Sequence, residues 1–129
     1  MKTDGGRKYQ VASVDFPLQI EIRAINLAVN RAVVSDVRVS RDGVLVETTT
    51  PALTTDQDQR LITYQIARPT QAPPLHVTQT IEGFFANNAP DNARYEIVIT
   101  AASGDKAPPT SIRVPSINPG AAHLTFQFS

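Results

Sequence analysis

Cysteine and tryptophan are both absent from this chain of 129 residues. Without thiols no disulfide staples the fold, and no thiolate can act as a nucleophile or bind zinc. Packing and backbone hydrogen bonds must hold it. No stretch approaches the roughly eighteen apolar residues of a membrane-spanning helix. A surplus charge of one sign is missing too: 12 Lys and Arg balance 12 Asp and Glu, and no block of sequence concentrates either. That argues against nucleic acid, or an anionic membrane surface, as a charge-driven partner. The opening Met1-Lys2-Thr3-Asp4-Gly5-Gly6 has no apolar signal-peptide core. A chain whose leader had been removed would read the same, so the compartment stays open, envelope and secreted locations included. Arginine outnumbers lysine nine to three, which points to a bacterial, GC-rich source and decides nothing about function.

What is present is alternation. The length suits a single domain able to bury a core of its own, and the expected layout is a flexible N-terminal segment over residues 1–8 followed by one domain over residues 9–129. Val14, Phe16, Leu18, Ile20, Ile22 and Ala24 alternate with Asp15, Pro17, Gln19, Glu21 and Arg23, the period of a half-buried strand. Pro17 falls on the outward set and predicts an edge or a break, because proline cannot donate to a ladder. The apolar phase then moves to Ile25, Leu27 and Val29, as a bulge near Ala24 and Ile25 would produce. A helix is the alternative over residues 24–34.

A strand over residues 33–40, the turn Asp42-Gly43 and a strand over residues 44–49 make a predicted hairpin, since both turn residues accept positive φ. That register sets Arg41 against Val44, Val39 against Val46 and Val37 against Thr48, with all four valines on one face. Further strands are marked by Ile62, Tyr64 and Ile66; by Leu75, Val77 and Ile81, with Gln79 the polar exception; by Tyr95, Ile97, Ile99 and Ala101; by Ile112 and Val114; and by Leu124, Phe126 and Phe128. Segments 62–77 and 97–112 share a layout, each with a loop ending Ala-Pro-Pro, and read as two hairpins of similar build. About eight short strands with no amphipathic helix leave one way to cover an apolar sheet face, which is a second sheet. The fold class expected is all-β, a two-sheet antiparallel sandwich.

The segment Asp91-Asn92-Ala93-Arg94-Tyr95-Glu96-Ile97 resembles the Asp-x-Ala-x-Tyr-x-Cys signature at the sixth strand of immunoglobulin-like domains, with Ile97 where the cysteine would stand. The resemblance implies an immunoglobulin-like sandwich in which the Tyr95 hydroxyl bonds to backbone just upstream. Because the cysteine pair and the central tryptophan are absent, a jelly roll or another sandwich stays as the alternative.

Functional signals are sparse. Asp56 and Asp58 are the hard-oxygen candidates for calcium, to be joined by Asp91 or Asp105 only if their loops converge, and the spacing is not that of an EF-hand. His76 and His123 sit at outward strand positions, two where zinc would need three or four ligands. No Gly-x-Ser-x-Gly elbow exists, so no catalytic residue, metal or cofactor is expected. In Gly83-Phe84-Phe85-Ala86-Asn87-Asn88 an extended backbone cannot turn both rings inward. Either one ring is an exposed anchor for a partner, or the connection coils and both plug the open end of the sandwich. Tyr9 and Tyr64 are candidates for an aromatic platform under a sugar. The leading functional expectation is a non-enzymatic binding or assembly module acting on another protein through loops or a sheet face, with no nucleic acid partner and no membrane span. A carbohydrate-binding module is the first alternative, and a hydrolase with two carboxylates facing one cleft is the second.

Overall fold

The computed structural model describes residues 1–3, 8–27, 31–57, 60–115 and 118–129. Among them lie twelve strands: β1 (Lys2–Thr3), β2 (Lys8–Val11), β3 (Leu18–Ile25), β4 (Arg31–Val34), β5 (Val37–Arg41), β6 (Val44–Thr49), β7 (Thr54–Thr55), β8 (Leu61–Ile66), β9 (Leu75–Phe84), β10 (Arg94–Thr100), β11 (Thr110–Arg113) and β12 (Gly120–Phe128). They form a seven-stranded sheet in the order β1-β2-β12-β9-β5-β6, with β4 also on β9, and a five-stranded sheet in the order β11-β10-β3-β8-β7. Among the described residues every pairing is antiparallel except β2 beside β12, and no α-helix occurs. The helical option over residues 24–34 therefore gives way to the end of β3 and to β4, while residues 28–30 lie outside the described set.

Alternation builds the core as expected. Leu18, Ile20 and Ile22 of β3 and Ile97 and Ile99 of β10 face Val77 and Ile81 of β9 and Leu124 and Phe126 of β12, all almost fully buried. Tyr9 stacks on Phe126 at 5.1 Å between ring centroids, and Phe16 meets Phe128 edge-on at 5.2 Å. Apolar burial on two facing sheets is what makes this arrangement stable in water.

Several departures come from single residues that break the period. Residues Ser13–Asp15 form a 3-10 turn, not the start of a strand; Val14 is 74% exposed and Asp15 is buried, reversing the expected faces. Pro17 marks the break before β3, which is an interior strand and not an edge. At the other end of β3 the register with β10 runs unbroken to Ile25 opposite Arg94. The phase changes not by a bulge but at Asn26, whose φ of 56° turns the chain and returns Leu27 to the core.

The strand expected over residues 33–40 is two strands. β4 and β5 run in succession along one edge of β9, with Val34 opposite Ile81 and Arg38 opposite Thr78, so one extra residue is accommodated at Ser35-Asp36. Ser35 repairs the ladder, because its hydroxyl accepts the Thr80 N–H at 2.9 Å while its own N–H donates to Thr80 O at 2.9 Å. The hairpin turn is as expected, with φ of 52° at Asp42 and 79° at Gly43 and Arg41 opposite Val44. Its register then slips: Leu45 pairs with Ser40 and Glu47 with Val39, leaving Val46 as the extra residue, and Val37 meets Thr49. Of the four valines Val37 and Val39 are buried in the core, Val46 is half-buried against it, and Val44 is 64% exposed. β6 is an edge strand, where no second neighbour enforces register and a bulge discourages further pairing. The two Ala-Pro-Pro segments also differ in build, since β8 and β9 lie in different sheets while β10 and β11 pair as a hairpin. Lys2–Thr3 pair with Gln10 and Tyr9, ahead of the expected start of the domain.

Candidate binding surfaces

Phe84 ends β9 on its outward face and is half-buried beneath the Arg31 guanidinium, 4.6 Å from the ring centroid. Phe85 turns inward, is buried, and meets Tyr95 edge-on at 5.4 Å. One ring points out and one in, as an extended backbone requires. The Tyr95 hydroxyl lies 2.7 Å from Phe84 O and 2.9 Å from Arg31 O, and it accepts the Arg31 N–H at 3.0 Å. Tyr95 belongs to the five-stranded sheet and these partners to the seven-stranded one, so the phenol spans the sandwich. Burial pushes its pKa up against the opposing effect of those hydrogen bonds. Gly83 makes the crossing feasible: a Cβ there would fall 2.5 Å from Cδ2 of the Tyr95 ring. Asn118 closes the same end, accepting the Phe85 N–H at 3.2 Å and donating to Phe85 O at 2.7 Å like a strand neighbour. The pair Phe84 and Phe85 is thus engaged within the fold.

The aromatic platform proposed from Tyr9 and Tyr64 does not form. Both rings are buried, as is Phe85. Each faces the sandwich interior because it alternates in phase with aliphatic neighbours: Tyr9 with Val11, and Tyr64 with Ile62 and Ile66. Tyr64 instead donates to Gln79 Oε1 at 2.6 Å, and Gln79 Nε2 donates to Ser35 O at 3.0 Å. Gln79, the polar exception on β9, is polar because it completes this bridge between sheets.

Asp56 Oδ1 accepts the Arg60 N–H at 2.7 Å and the Leu61 N–H at 3.2 Å, closing the turn into β8; Asp58 lies outside the described residues. Asp91 is exposed in the turn before β10, and the Asp105 carboxylate reaches the Met1 ammonium at 3.0 Å. His76 and His123 are exposed on the outward faces of β9 and β12, with His123 Nδ1 3.1 Å from Thr80 Oγ1. Among the described residues no three His, Asp or Glu side chains gather closely enough to hold a metal ion. The buried carboxylate is one that alternation had assigned outward. Asp15 accepts the Ala12 N–H at 2.8 Å and the Ser103 hydroxyl at 2.8 Å, and lies 3.4 Å from the Met1 ammonium. Burial pushes its pKa up, but these contacts outweigh it and hold the carboxyl below its ordinary value. Pro17, two residues on, was the available hint that the strand had not yet begun.

One open surface combines apolar floor and unpaired backbone. A cleft of about 150 Å³ lies between the two sheets where β6 faces the end of β8. Val37, Val39, Ile66 and Val77 form its floor. Glu47, pointing inward at the rim, accepts the Thr70 N–H at 3.1 Å and the Thr70 hydroxyl, which fixes Thr70 beside Ala67 and Arg68 as one wall. β6 ends its sheet, and β7 pairs only with Ile62 and Thr63, so neither β6 nor β8 beyond Thr63 has a ladder partner on this side among the described residues. The cleft was not legible in any single stretch, because it joins residues from β5, β6, β8 and β9. No protein-family model, no curated protein and no solved structure matches the chain significantly.

Proposed function

We propose that this chain is a non-enzymatic protein-binding module built on an immunoglobulin-like sandwich, which grips an extended segment of another protein between β6 and β8. The observation that carries the reading is the cleft bounded by two strand edges. Backbone groups along an edge hydrogen-bond an added strand whatever its sequence, and an apolar floor selects the side chains it carries. The strand order supports the immunoglobulin-like part: β12-β9-β5-β6 follows the order G-F-C-C′, and β3-β8-β7 follows B-E-D. The hairpin β10–β11 takes the place beside β3 that strand A fills in that family. Tyr95 then sits on the added hairpin and ties the opposite sheet.

Panning a random peptide display library against the protein is expected to return extended sequences with alternating aliphatic residues. Their binding should shift the amide resonances of β6, β8 and Thr70. Thr49→Arg, which fills the cleft from its rim, should abolish binding with little change in thermal midpoint. Selected peptides that map elsewhere, or that bind the Thr49→Arg variant unchanged, would sink the reading.

A further inference from the structure

Although no block of sequence concentrates charge, the fold does. Among the described residues the aspartates are in turns and loops, and the four glutamates are on strands. Glu47 points into the cleft, and Glu21 and Glu96 lie on the outer face of the five-stranded sheet in ion pairs with Arg23 and Arg94. Glu82, half-buried, is therefore the one glutamate on the outer face of the seven-stranded sheet. Cross-strand partners share a face, and the registers assemble the bases on that face. Arg38 is opposite Thr78, Thr78 opposite Thr125, and Thr125 opposite Lys8. In the next row His76 pairs with Gln127, Gln127 with Gln10, and Gln10 with Lys2. His123 flanks Thr125 on the other side. Lys2, Lys8, Arg38, His76 and His123 are all exposed. Asp36, at the bulge between β4 and β5, accepts the Thr50 hydroxyl at 2.9 Å at the margin of this face.

We propose that this face binds a linear anionic polysaccharide. At strand spacing, Arg38 and Lys8 stand about 14 Å apart across four strands. Threonine hydroxyls and glutamine amides lie between them, so cations can pair with carboxylate or sulfate groups while the neutral side chains hydrogen-bond sugar hydroxyls. The chemistry fits the alternatives less well. Duplex DNA is read by an element that enters a groove, and single strands by exposed aromatics on which bases stack; this face is a sheet interior whose one aromatic, Phe84, lies under Arg31. An anionic membrane is held by an apolar wedge as well as charge, and among the described residues the rows through Thr78 and His76 carry one exposed large apolar side chain, Leu45 at their edge opposite Ser40, which is too little for a wedge. The proposal uses neither the cleft nor the edge of β6, and so stands independently of the protein-binding reading.

The test is a titration with heparin and with polygalacturonate at low ionic strength, beside neutral dextran, duplex DNA and phosphatidylglycerol vesicles. Two triple variants remove the same charge from different places: Lys2→Gln/Lys8→Gln/Arg38→Gln from this face, and Arg60→Gln/Lys106→Gln/Arg113→Gln from elsewhere. Both anionic polysaccharides should bind, dextran should not, and affinity should fall as salt is raised. The first variant should bind about tenfold more weakly, and the second within about twofold of the parent. Absence of binding, an equal loss in both variants, or tighter binding of DNA or vesicles than of either polysaccharide would overturn the proposal.

Discussion

Two polar side chains from facing strands meet in the middle of an otherwise apolar interior. Burial keeps the Tyr64 phenol neutral by pushing its pKa far above the usual range, so it stays a donor to Gln79. The energetics of such a pair are asymmetric. A made bond adds about 1 kcal/mol, whereas a buried partner left unsatisfied costs about 1–3 kcal/mol. Tyr64→Phe orphans Gln79 Oε1, and Gln79→Leu orphans both the Tyr64 hydroxyl and Ser35 O. Each single change should lower the unfolding free energy by about 1–3 kcal/mol in urea denaturation. The double variant should lose clearly less than the sum, with a coupling of about 0.5–3 kcal/mol. Strict additivity in that cycle would mean the bridge contributes nothing to holding the sheets together. Tyr95 works by the same logic at one end of the sandwich, with backbone groups of Arg31 and Phe84 in place of an amide side chain.

Strands differ in how much of their geometry the sequence carries. The turn at Asp42-Gly43 was legible because its chemistry is local: two residues at positive φ, one of them glycine. Gly43→Ala should cost about 1 kcal/mol, since the φ of 79° is strained for alanine although nothing lies within 4 Å of an added Cβ. Gly83→Ala should cost more, about 3 kcal/mol, because the Tyr95 ring blocks the added carbon. Thermal unfolding of the two variants checks the order, and equal midpoints would remove the distinction between backbone and packing costs. The inward sets of β8, β9, β10 and β12 were legible for a similar reason, as period two names the buried face directly. It does not name the partner strand or the sheet. β8 and β9 look like a hairpin in sequence yet belong to opposite sheets, and the extra residues at Ser35-Asp36 and Val46 flip the phase without any turn signal. The binding surfaces were illegible for the same cause. Both the cleft and the basic face are sums over strands distant in sequence, while Phe84 and Phe85, which stand out locally, are largely absorbed by Arg31, Tyr95 and Asn118.

At the scale of the molecule, one buried carboxylate joins segments that lie far apart in the chain. Asp15 receives hydrogen bonds from Ala12 in its own turn and Ser103 in the turn after β10, lies beside the Met1 ammonium, and offers its backbone carbonyl to the Ala102 N–H at 2.9 Å. Burial acts to raise its pKa, but those donors prevail and the folded value lies below the ordinary one. A carboxyl held low in the folded state binds its proton more readily once unfolded. Its stabilisation is therefore complete above the unfolded value, near pH 4, and is lost as pH falls through the lower folded value. Urea stability should then decline on acidification below about pH 4. Asp15→Asn, which keeps the shape but not the charge, should be less stable at neutral pH by about 1–3 kcal/mol and should show a shallower acid decline. If the acid limb kept its full slope in that variant, the pH dependence would belong to other carboxylates. In that case Asp15 would join these segments through hydrogen-bond geometry alone, with no contribution from its charge.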